Sequence, residues 1–135
     1  MNELTELLVA TGNAGKVREL SLLLADAPLR LRLLSDFPDI TEAEETGKTF
    51  AENATIKALH YSTHSGLLTL SDDSGLAVDA LDGAPGVYSA RYAGTQATYA
   101  ERMARLLGEL AATGDDERRA RFVCVIALAE PKTGA

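Results

Sequence analysis

Five apolar, strand-like runs are separated by three stretches of helical period, and this alternation narrows the folds open to the 135-residue chain more than any other feature. Residues 4–10, LTELLVA, end in a dense apolar run and read as a buried strand. In 14–25, AGKVRELSLLLA, Val17, Leu20 and Leu24 recur on one helical face, and Pro28 ends the pattern. LRLRLLS, 29–35, alternates as a strand does. A second helix is predicted from Thr49 to about His64, opened by TFAEN with Thr49 as cap and Glu52 three residues on. LLTLSDDSG reads as a strand running into two aspartates, and LAVDAL as a further short strand. A third helix is predicted over 95–112, with Tyr99, Met103, Leu106 and Leu110 along one side. RFVCVIALA, 121–129, is apolar enough to lie centrally in a sheet. Strands alternating with helices predict an α/β sandwich with a largely buried sheet, and the length suits one domain. Only EPKTGA follows the last strand, so a strand edge or face is expected to lie uncovered.

The bulk numbers set the class. Hydrophobic residues make up 46% and charged residues 24%, the profile of a globular protein. A formal net charge of −7 argues against a nucleic-acid polymer as partner, because such binders carry a basic stripe. A small anion remains compatible, since a few local cations can outweigh the global field. The single cysteine, Cys124, excludes an internal disulfide, and its apolar neighbours predict a buried thiol. No run approaches the roughly 18 apolar residues of a membrane span, and no signal peptide opens the chain, so a cytoplasmic protein that does not engage a membrane is expected.

Four stretches could carry chemistry. In LLVATGNAGKVREL, 7–20, a strand meets a helix through a glycine turn, the arrangement that points backbone N–H groups and the positive end of a helix dipole at an anion. It is not a Walker loop: Gly12 and Gly15 enclose two residues, and Val17 rather than Ser or Thr follows Lys16. Thr11 and Asn13 add donors and Lys16 a cation; the alternative is a glycine turn capped by Asn13 with Lys16 in solvent. In SDDSGL, Asp72 and Asp73 stand at the end of an apolar strand, where open α/β sheets place ligands. Such carboxylates suit Mg²⁺, which binds through one or two of them plus substrate phosphates. Taken alone, an Asp-rich turn before Gly75 is the simpler account. In EAEETGKTFAENATIKAL, Glu44 and Glu45 precede a helix whose Asn53 and Lys57 share a face, and a solvated acidic loop before a capped helix explains the stretch equally. In GAPGVYSARY, Tyr88, Arg91 and Tyr92 could line a pocket or an interface, or belong to an ordered surface loop. His60 and His64 have the spacing of a metal pair, but the sequence offers no HExxH and no third ligand.

In this order, ATGNAGKVREL, EETGKTFAENATIKA, SDDSGLAVDALDGAPGVYSARYAG and RARFVCVIAL resemble the RdgB/HAM1, or inosine triphosphate pyrophosphatase, family. The resemblance runs from the first strand to the last residues. It implies Mg²⁺-dependent hydrolysis of noncanonical purine nucleoside triphosphates (ITP, dITP, XTP) to the monophosphate and pyrophosphate. It implies an elongated α/β fold with a mixed central sheet flanked by helices, two lobes and a cleft (the Maf/HAM1 type), assembled as a homodimer. Carried over block by block, Thr11, Gly12, Asn13, Ala14, Gly15 and Lys16 hold the triphosphate. Asp73 is the general base and a Mg²⁺ ligand, with Asp72 beside it. Glu45 is the second carboxylate on the metal, with Glu44 as the competing choice; Lys57 meets phosphate and Ser74 the nucleotide.

The family continues past this last strand with a GFGYDP-type block and an SHR block that read the base. Neither occurs here, so residues 1–135 are expected to form a partial ITPase-like domain with the C-terminal portion missing. A steady-state assay of the 135 residues with ITP and Mg²⁺ is accordingly expected to show weak or unselective pyrophosphate release; full, selective turnover would contradict this reading.

Overall fold

A computed structural model of the chain describes residues 4–92, 94 and 96–131, without the side chains of residues 90 and 91. The first apolar run forms β1 (Thr5–Val9), followed by α1 (Ala14–Leu23) and β2 (Leu29–Leu33). Next come α2 (Phe50–Ser65), β3 (Leu68–Val78), α3 (Tyr99–Thr113) and β4 (Ala120–Ala129). The strands form one mixed sheet in the order β2-β1-β3-β4. β1 runs parallel to β2, from Thr5 opposite Leu29 to Val9 opposite Leu33, and parallel to β3, with Leu7 opposite Leu68. Asp79 N–H donates to Arg119 O at 3.0 Å, which joins the end of β3 to the start of β4 and makes that pair antiparallel. With a strand on each side, β1 is an interior strand, and Leu7, Leu8 and Val9 are accordingly all buried.

The described residues fall into two compact units, one drawn from Met1–Asp72 and Ile126–Ala135, the other from Asp73–Val125. In the first, Leu8, Ala10, Ala43 and Tyr61 form a core with Leu34, Phe37, Ile40 and Leu67 against it. In the second, Val78, Leu106 and Leu110 pack with Leu76, Leu81, Tyr92 and Met103.

Helix ends follow the cap residues. Thr49 Oγ1 accepts the Glu52 N–H at 3.1 Å, while the Glu52 carboxylate accepts from the Lys48 N–H at 2.9 Å, one residue earlier than a reciprocal box would have it. Gly66, with φ 73°, ends α2 in the left-handed conformation that glycine adopts freely. α3 begins at Tyr99 rather than at 95 because Thr98 is its cap, accepting the Glu101 N–H at 3.1 Å.

Four expectations are corrected. LLTLSDDSG and LAVDAL are not two strands: β3 runs unbroken through Asp72, Asp73, Ser74 and Gly75, and only Asp79–Leu81 turns into a 3-10 helix. β4 is not central; it lies last in the strand order of the described residues, with Phe122, Ile126 and Leu128 exposed by 84%, 56% and 62%. Cys124 shares their spacing of two along the strand and is exposed instead of buried. Tyr99, placed on the apolar side of α3, is 75% exposed.

In the second unit Tyr92 carries the Arg105 guanidinium 5.0 Å above its ring. Burial pushes its hydroxyl up to about 12, and the negative charge of Glu109 adds to the shift. The folded state therefore keeps a proton that the unfolded chain, titrating at 10.0, has released. This contribution to stability is complete below pH 10 and is lost as pH rises towards about 12. Denaturant unfolding followed across that window is expected to show falling stability for the wild type and a flatter dependence for Tyr92→Phe.

Candidate active site

The parallel pairing of β1 with β3 places the turn after β1 beside the polar middle of β3. Ala10 N–H donates to Leu70 O at 2.8 Å, and the Ser71 hydroxyl donates to Ala10 O at 3.3 Å. One residue on, Asp72 is 6% exposed. A carboxylate so removed from water needs a counter-charge, and Lys16, in the first turn of α1, provides it as an ion pair with Asp72 Oδ2. Lys16 is therefore ion-paired and half-buried, not free in solvent.

The glycine turn is held by its own cap. Asn13 Oδ1 accepts the N–H groups of Gly15 at 2.9 Å and Lys16 at 3.1 Å, and Asn13 N–H donates to Thr11 Oγ1 at 3.2 Å. A Cβ on Gly15 would stand 3.2 Å from that cap oxygen, whereas one on Gly12 would meet nothing within 4 Å. The two glycines thus do different work: Gly15 lets the cap close, and Gly12 leaves the turn open on one side.

That open side belongs to a pocket of about 360 Å³. Ala10, Thr11 and Gly12 form one wall and Leu34, Phe37 and Ile40 an apolar one; Glu42, Ala43, Glu45, Lys57 and Tyr61 complete it. Lys57 Nζ lies 2.9 Å from Glu45 Oε1, so the pocket holds a cation and an anion against each other. Glu44, the adjacent carboxylate, is exposed, while Glu45 is half-buried. The structure brings Thr11, Gly12, Glu45 and Lys57 together at this pocket and joins Lys16 to Asp72. Asp73, 7% exposed, and the half-buried Ser74 continue β3 into the second unit. The Arg91 side chain lies outside the described residues, and Tyr88 is exposed.

Sequence reasoning overlooked the apolar wall and Tyr61. Tyr61 stands four residues past Lys57, as Lys57 does past Asn53, so the helical face already recognised would have reached it. Among the described residues no group of three or more His, Cys, Asp or Glu stands ready to hold a metal ion. No helix of the described residues is long and apolar enough to cross a membrane.

A mixed α/β sheet with a capped glycine turn, a buried carboxylate in β3 and two lysine–carboxylate pairs defines an α/β protein with a polar pocket beside that turn. Comparison with known proteins specifies it further. Residues 7–135 match the Ham1 family, and the chain belongs to that family. It is 53% identical to a dITP/XTP pyrophosphatase of Geobacter sulfurreducens over 128 residues, covering 95% of this chain and 64% of that protein. It is likewise 53% identical over 121 residues to a dITP/XTP pyrophosphatase of Shigella flexneri, covering 90% of this chain and 61% of that one. The chain thus spans less than two thirds of the length of these curated relatives. Among solved structures, a HAM1 protein from Coxiella burnetii superposes with a TM-score of 0.90 at 46% identity, over 96% of this chain and 65% of the other.

The Lys16–Asp72 pair sets a stability test. Lys16→Met leaves the Asp72 carboxylate buried without its counter-charge and is expected to cost about 1–3 kcal/mol in urea unfolding. Adding Asp72→Asn to the same chain should recover most of that loss.

Proposed function

We propose that the chain carries the phosphate-handling part of a nucleoside triphosphate pyrophosphatase that hydrolyses ITP, dITP or XTP to the monophosphate and pyrophosphate. The observation that carries this reading is the pocket in which the open turn at Thr11 and Gly12 faces Lys57 paired with Glu45. Its membership of the Ham1 family and the names of its relatives supply the substrate class. By the same family reading the protein is cytoplasmic and forms a homodimer.

The donor set fits Mg²⁺ in the mode where substrate completes the shell. Mg²⁺ takes one or two carboxylates plus phosphate oxygens, not an all-protein cage. Glu45, Asp72 and Asp73 offer carboxylates, and no cluster of three metal-binding side chains is found among the described residues. Glu45 and Asp73 would hold the ion, with Asp72 beside them; Glu44, exposed in the loop before α2, is the less suited choice. When bound, Mg²⁺ supplies neutralisation of phosphate charge and activation of water at neutral pH.

The chain's own residues account for the rest. Each lysine now rests on a carboxylate, Lys16 on Asp72 and Lys57 on Glu45. With a triphosphate present, Lys16 and Lys57 would turn from their carboxylates to phosphate, and Glu45 would then be available to hold the ion. Residues Thr11 to Lys16 seat the phosphates, and Ser74 meets the nucleotide. Asp73 orients a water and takes its proton as the water oxygen bonds to phosphorus and the α–β phosphate link breaks. Lys16 and Lys57 stabilise the charge that gathers on the departing pyrophosphate.

The test is product analysis with ITP and with ATP in the presence of Mg²⁺. Pyrophosphate, not orthophosphate, is expected, and Asp73→Asn should lower its release by about 100-fold or more, the scale of a lost general base. Orthophosphate as product would make the protein a phosphatase. Nucleotide binding with no release from either substrate would make it a silent nucleotide-binding member of the family.

A further inference from the structure

Residues 41–48 form an extended strap whose contacts with α2 follow two matched periods. Along the strap burial alternates: Ala43, Glu45 and Gly47 turn inward, while Glu44, Thr46 and Lys48 are exposed. Along α2, Asn53, Lys57 and Tyr61 recur every four residues on one face. The two series meet one to one and in opposite directions. Gly47 N–H donates to Asn53 Oδ1 at 2.7 Å, Glu45 pairs with Lys57 at 2.9 Å, and Ala43 N–H donates to the Tyr61 hydroxyl at 3.2 Å. Two residues of extended chain rise roughly 6.6 Å and four residues of helix about 6 Å, so the strap can engage the helix turn by turn. The ends are tied as well: His60 Nε2–H donates to Thr41 O at 2.7 Å, and Lys48 N–H to Glu52 at 2.9 Å.

We infer that Asn53 and Tyr61 are positioning residues that fix the register of the strap and so decide that Glu45, not Glu44, meets Lys57. An extended chain presents alternate residues to opposite sides, so a slip of one position would exchange the two glutamates. Both clamps act on backbone N–H groups, and therefore select position along the strap and not the type of side chain. Asn53 is 1% exposed and Tyr61 6%, so losing either bond strands a buried polar group. Gly47 is part of the device. A Cβ there would lie 2.7 Å from both Asn53 Oδ1 and Glu52 Cβ, closer than the strap can approach with any other residue.

The link to catalysis rests on the proposed role of Glu45 as a cation ligand; the register itself does not. Two readouts on the 135-residue chain separate them: amide hydrogen exchange at Ala43 and Gly47 by NMR, and Mn²⁺ binding in the presence of ITP by electron paramagnetic resonance. Tyr61→Phe keeps the ring that packs in the core and removes only the hydroxyl. It is expected to speed exchange at both amides by tenfold or more and to weaken Mn²⁺ binding about tenfold while the chain stays folded. Gly47→Ala should do the same, and Thr46→Ala, on the outward side, should do neither. Slow exchange at Ala43 and Gly47 retained in Tyr61→Phe would overturn the register inference. Faster exchange with unchanged Mn²⁺ binding would uphold the register and overturn the assignment of Glu45 to the cation.

Discussion

Asp72 places a negative charge where the sheet has almost no water, and much of the neighbouring chain is arranged around that fact. β3 can run through two aspartates because the first is met by Lys16 and because the Ser71 hydroxyl is satisfied by Ala10 O. Lys16 can reach Asp72 only if α1 begins where it does, and Asn13 sets that start by capping Gly15 and Lys16. The parallel pairing of β1 with β3 brings the end of β1 beside the middle of β3. A buried ion pair of this kind is a poor source of net stability. The pair lies in the middle of β3, beside the glycine turn that follows β1.

The strap before α2 solves a different problem. A loop with three glutamates within four positions would be expected to wander, since like charges repel and each carboxylate is well solvated. Here backbone N–H groups are gripped at alternate positions by side chains of one helical face, so the order of the loop does not depend on its charges. The acidic residues are then free to be chosen for chemistry.

Much of this could be read from the residues. Thr49 and Glu52 announced α2, and the strand–turn–helix at 7–20 was legible from one apolar run, two glycines and a helical period. Lys57 and Asn53 were recognised as sharing a face. What escaped notice has a common cause. Asp, Ser and Gly signal a turn in water, but in β3 their polarity is absorbed by partners distant in sequence, so the strand continues. The clamps on Ala43 and Gly47 act through the main chain, and on the strap only the glycine at 47 marks them in the residue types. In β4 an apolar run looks the same whether both faces are covered or only one, so the run alone did not show that Phe122, Cys124, Ile126 and Leu128 would be the exposed residues. Pattern reports what a segment prefers; which neighbours meet it is decided elsewhere in the chain.

The division of the described residues into two units has a temporal side. The second unit, Asp73–Val125, is continuous in sequence, and the first is not: its share of β4 begins only at Ile126. On a ribosome β1, α1, β2 and α2 emerge together with the start of β3, yet β4, the second neighbour of β3 after β1, begins more than fifty residues after that start. The second unit, whose core joins Val78 to the neighbouring α3, can gather itself during that interval through short-range contacts. The earlier segments must meanwhile hold a sheet with one side of β3 open, a state that favours unwanted strand pairing. The order in which this protein is made therefore differs from the order in which its sheet can be finished.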